Sequence, residues 1–190
     1  MPRLTRSPHT DAMFDEIMGL PAHPLLVHAA VVFVPLLALM GVVYVLVPPL
    51  RARFTWVFVL LALIAPVVSW VAKESGERFE QRMNSKGVMP PDLAAKINVH
   101  QDHGTKMLWF VCGLAVVSLL FMALDAGRRR ANANIGPAPA GGEIAAPPAA
   151  RGRMIMMIVF GLAVLVLAGF SGWYVYKTGD AGARIAWNGF

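Results

Sequence analysis

The sequence has one cysteine and little charge. Lys, Arg, Asp and Glu together make up only 15% of its 190 residues. A single thiol, Cys112, excludes an intrachain disulfide, and buried in an apolar run it says nothing about redox compartment. Several catalytic signatures are absent: no nucleophile elbow, no phosphate-binding glycine loop, no HExxH and no Glu-x-x-His pair of the di-iron type. Hydrolase and nucleotide-dependent chemistries therefore have no support. The first 20 residues, "MPRLTRSPHTDAMFDEIMGL", contain no apolar stretch of the kind a signal peptide needs. Within them "MFDEIMGL" has the mixed pattern of a short interfacial helix.

What is abundant is apolar surface. Hydrophobic residues are 57% of the chain. Four runs, at 25–48, 54–72, 107–124 and 154–176, approach or exceed the ~20 residues that cross a bilayer. In hydrocarbon every backbone polar group must pair within its own segment, so these runs are expected as helices. The expectation is an all-α integral membrane four-helix bundle. Its parts are an N-terminal arm (1–22), helices one to three (23–125) and a fourth helix (153–177). An extramembrane helical hairpin at about 73–106, an Ala/Pro/Gly-rich linker at 126–152 and a tail at 178–190 complete it.

Charge gives an expected orientation. The short segments after spans one and three hold Arg51, Arg53, Arg128, Arg129, Arg130, Arg151 and Arg153 against only Asp125 and Glu143. Arginine-rich loops stay cytoplasmic, which puts both termini outside the inner membrane. The net charge of +6 is then a topology signal rather than a nucleic-acid footprint.

Four of the five histidines collect at one level. His23 and His28 bracket "HPLLVH" at the outer end of span one; His100 and His103 precede span three on the same side. Pro24 suits a first helical turn and places His23 near the cap, with His28 one turn deeper. An ionisable side chain inside an apolar span usually faces the bundle, which makes His28 the stronger ligand candidate. Ile97, His100, Gly104, Met107 and Val111 share one helical face, His103 borders it, and Gly104 leaves room for something flat or for another helix. Pro35 and Pro66 should kink spans one and two.

Three readings follow. In the first, His28 with His100 or His103 holds one haem b, with His23 and Gly104 nearby and Lys73, Arg78 and Lys106 facing its carboxylates. The cytoplasmic half has no histidine, so a two-haem relay across the membrane is not supported. In the second, the imidazoles bind a bare Zn, Cu or Fe ion, with Glu77, in line with Glu74 and Glu80, as a weak oxygen ligand. In the third there is no cofactor, and the histidines only hydrogen-bond between helices of an accessory subunit. The first is preferred: electron transfer or cofactor handling, with a membrane redox protein as partner, no nucleic acid, and no enzyme activity of its own.

The same residues carry a family likeness. "LPAHPLLVHAAVVFVPL" resembles the opening "HPLLVHFPI" signature of the bacterial membrane family catalogued as domain of unknown function 2231. "SGERFEQRM", "HQDHG" and "GFSGWYVYKTGDAG" are similar, in order, to its later segments, from about Leu20 to Gly182. Two departures stand out: "AAVVFVP" replaces "FPI", and Lys177-Thr178 replaces a histidine near the end, removing a fifth contributor. The resemblance implies a four-helix membrane domain. Relatives joined to Rieske iron–sulfur domains imply redox chemistry.

Overall fold

A computed structural model describes residues 16–17, 20–133 and 148–187. Glu16–Ile17 (β1) and Leu20–Pro21 (β2) pair antiparallel, with Glu16 opposite Pro21 and Ile17 opposite Leu20. Where it is described, this part of the arm is therefore a strand pair, not the interfacial helix expected; the rest of that expectation lies outside the described residues.

Four long helices follow: α1 (Ala22–Leu46), α2 (Arg51–Ser85), α3 (Pro91–Ala133) and α4 (Pro148–Trp187). All four are long and apolar enough to cross a membrane. A 3-10 turn at Pro48–Leu50 joins α1 to α2. Pro35 and Pro66 lie within α1 and α2, which run on through them. The expected hairpin is α2 continuing to Ser85 and α3 starting at Pro91. Gly87 turns the chain between them at φ +67°, a backbone conformation that costs a Cβ-bearing residue dearly. Asp92 sits in the first turn of α3, where its negative charge suits the helix start. α4 runs through to Trp187, so most of the expected tail is helix. Of the expected linker, 134–147 lies outside the described residues.

Each helix packs on two neighbours: α1 on α2 and α4, and α3 on α2 and α4, which leaves α1 and α3 on the diagonal. The centre is apolar and closed. Val34, Leu37, Phe58, Val111, Leu114 and Val164 have no exposed surface. The outward faces are equally apolar, with Leu63, Val116 and Leu162 more than half exposed. Water would penalise such faces; lipid does not.

The end opposite the histidines is closed by a buried ion pair. Arg51 donates from Nε to Tyr44 O (2.7 Å) and from Nη2 to Val45 O (2.9 Å), satisfying carbonyls that the end of α1 leaves open. Its Nη1 donates to Asp125 Oδ1 at 3.1 Å, and the guanidinium lies 5.2 Å from the Phe121 ring centroid and 5.8 Å from that of Tyr44. Asp125 is 2% exposed; its second oxygen lies 3.1 Å from Arg129 Nη2, without hydrogen-bond alignment. Tyr44 and Thr55 hydroxyls bond at 3.1 Å beside it. This cluster ties α1, α2 and α3 together.

Candidate functional site

The histidine end is built from small residues that let two imidazoles reach the bundle axis. His23, the second residue of α1, turns across to α2. Its Nδ1 lies 3.1 Å from Ala72 O and 3.0 Å from Ser75 Oγ. A carbonyl can only accept, so Nδ1 carries the proton and Nε2 keeps its lone pair. The ring rests on Gly76, where a Cβ would come within 2.9 Å of His23 Cε1. Phe79 stacks on it at 6.4 Å between centroids.

His100, on α3, makes the matching contact to α4. Its Nδ1 donates to Thr178 O at 3.0 Å, which again leaves Nε2 as the unprotonated nitrogen. Gly182 receives this ring, since a Cβ there would lie 3.1 Å from His100 Cε1. His23 and His100 therefore meet from diagonal helices, with ring centroids 6.2 Å apart and planes at 84°. Tying Nδ1–H to a carbonyl fixes tautomer and ring orientation, the arrangement that metal-ligating histidines show.

The other site candidates fall elsewhere. His28 does not face the bundle: it is exposed, and its Nδ1 donates back to Pro24 O in its own helix at 2.6 Å. The expectation failed because α1 is apolar on every side, so burial follows the small-residue face rather than depth. His103 lies beside Tyr174, centroids 6.3 Å apart, and its Nδ1 is buried with no hydrogen-bond partner. Gly104 does admit another helix: a Cβ there would lie 3.8 Å from Thr178 Cγ2 of α4. Ile97, Met107 and Val111 are buried along the same face, as their spacing predicts.

The charged residues expected to meet a cofactor are already engaged. Lys73 pairs with Glu77, Arg78 with Glu74, and Lys106 with Asp102, each one helical turn apart. Glu80 accepts from Gln101 Nε2 at 2.6 Å, joining α2 to α3. Among the described residues no group of three or more His, Cys, Asp or Glu is placed to hold a metal. An apolar crevice of about 350 Å³, lined by Pro66, Val67, Trp70, Leu108, Trp109 and Cys112, lies between α2 and α3 away from these rings.

His23, not His28, is the residue the sequence undervalued. A signal for it existed: Ala22, Ala30, Ala38 and Gly41 on α1 are all buried, and in lipid small residues mark the face where helices approach. Ala72, Ser75 and Gly76 mark the facing surface of α2 in the same way.

No curated protein and no solved structure matches the chain. A family model does, over residues 19–189, which take in all four helices and both histidines of the pair, and the chain belongs to that family of predicted membrane proteins, DUF2231.

Proposed function

We propose that this membrane protein holds one redox-active metal ion between His23 and His100, on the outer side of the membrane, and serves in electron transfer or cofactor handling. The observation that carries the reading is the paired Nδ1 anchoring. Both rings spend their N–H on a backbone carbonyl of the adjacent helix and keep Nε2 for another partner. The ring centroids lie 6.2 Å apart, and two imidazole nitrogens holding an ion at ~2.0–2.1 Å need rings at roughly this spacing.

The donor set favours copper. Two neutral imidazoles without a thiolate or carboxylate leave zinc short of its four ligands, whereas copper(I) accepts two nitrogens in line. Haem b fits the packing less well. Gly76 and Phe79 crowd His23 on the α2 side, and Gly182 backs His100 on the α4 side, so a porphyrin plane has to part the helices. A bare ion needs far less room than a porphyrin.

The test is metal content and absorption of the detergent-purified full chain. The expected result is one copper per chain after loading with copper(I), lost in His23→Ala and in His100→Ala and kept in His28→Ala. A Soret band in protein from haem-supplied cells would replace copper by haem. The interhelical bonds of both imidazoles favour a second reading, a purely structural clasp. Metal-free protein whose variants lose only thermal stability would establish that one.

A further inference from the structure

We propose that the arginine end of the bundle is a docking surface for anionic phospholipid. The antiparallel contact of α3 with α4 brings Gly161 against Phe121, where a Cβ would lie 3.6 Å from Phe121 Cε2. Continued about two to three turns along each helix, it carries Arg128 and Arg130 of α3 and Arg151 and Arg153 of α4 to the same end of the bundle. All four arginines are exposed. Asp125 is the one acidic side chain described at this end, and Arg51 and Arg129 already take it. Among the described residues the four arginines have no ion-pair partner, so four exposed positive charges stand at this end beside a carboxylate that is already taken.

What lies directly below that cluster selects a lipid over a soluble anion. Met154 and Ile155, next along α4, are 62% and 56% exposed, so cationic forks sit at the rim of an apolar face that needs hydrocarbon against it. A phosphodiester headgroup with acyl chains satisfies both at once. Guanidinium donates two parallel hydrogen bonds to phosphate oxygens, and the chains cover the methionine and isoleucine side chains.

The experiment uses the full chain in nanodiscs of phosphatidylcholine alone or with phosphatidylglycerol, read by thermal unfolding and by native mass spectrometry of retained lipid. Phosphatidylglycerol is expected to raise the unfolding temperature and to stay bound, and 0.5 M salt is expected to weaken both effects. Replacing all four arginines by Gln should cut retention by about 10-fold or more, while replacing them by Lys, which keeps the charge but loses the paired hydrogen bonds, should cut it less. Equal behaviour in the two lipids, or unchanged retention in the Gln variant, overturns the proposal. Protection of wild type by inorganic phosphate alone, to the same degree, assigns the site to a soluble anion and overturns the lipid. Should the Gln variant fail to fold, the wild-type comparison of lipids and salt still decides.

Discussion

Gly76→Ala tests whether the histidine end is built around the ring of His23. An ideal Cβ on residue 76 would lie 2.9 Å from Cε1, 3.2 Å from Nδ1 and 3.5 Å from Nε2 of that ring. The first distance is shorter than a packed Cβ tolerates, and the obstacle is a rigid ring held by hydrogen bonds. The ring must move by several tenths of an ångström, against its contacts to Ala72 O and Ser75 Oγ. Overpacking of this kind costs about 1–3 kcal/mol, and each weakened hydrogen bond contributes up to about 1 kcal/mol of that. In a helix interior Ala is favoured over Gly by about 1 kcal/mol, so any net loss has to come from the ring. The assay is thermal unfolding of the purified chain in one detergent, run as a double-mutant cycle with His23→Ala. In the wild-type background Gly76→Ala should lower the midpoint by on the order of 5 °C. Once His23 is Ala the new methyl enters vacated space, and the same substitution should be neutral or stabilising, a coupling of about 1–3 kcal/mol. Equal losses in both backgrounds would refute the idea that Gly76 exists to seat the imidazole.

Three further outcomes follow from the same packing. Asp125→Ala strands the Arg51 guanidinium in a buried site and should cost about 3–5 kcal/mol, whereas Arg51→Met with Asp125→Leu should recover much of it; denaturant unfolding of single and double variants measures both. His28→Ala removes an exposed ring bonded only to its own helix, so the midpoint in the same thermal assay should stay within about 0.5 kcal/mol of wild type. Gly87→Ala forces a Cβ into a left-handed turn and should cost about 1 kcal/mol, and limited proteolysis between α2 and α3 should accelerate.

The spans were legible because runs of about 20 apolar residues admit few other structures, and all four appear as helices. Their ends were less legible. α4 continues to Trp187 because "KTGDAGARIAW" still pairs as helix: Thr178 bonds back to Tyr174 O and Arg184 to Asp180, and Gly182 receives His100 from outside. Which side of a span faces inward is the hardest feature to read from composition. α1 is apolar around its whole circumference, so hydrophobic periodicity cannot separate His23 from His28, and depth alone pointed to His28, which is exposed, rather than to His23, which reaches α2. Size would have separated them, since the buried face of α1 carries Ala22, Ala30, Ala38 and Gly41. The pairing of Arg51 with Asp125 was invisible for another reason. The two lie 74 residues apart, and counting loop charges treats them as separate topology marks.

The two ends of the bundle do different work, and the segment between them limits what the protein can do. Imidazoles and a serine converge at one end; a guanidinium, a carboxylate and a tyrosine converge at the other. Between them lie Val34, Leu37, Val111, Leu114 and Val164, all fully buried and without a polar atom. The Ser118 and Ser171 hydroxyls interrupt this layer with no hydrogen-bond partner and at different heights on α3 and α4, so they do not form a chain of donors and acceptors. A proton or ion crossing the bundle would have to shed its solvation in that layer, at a cost that nothing described there offsets. The proposed site at His23 and His100 is therefore open only to its own side. Under the proposed metal reading, a redox partner would have to approach that end, where α2, α3 and α4 extend past the apolar spans.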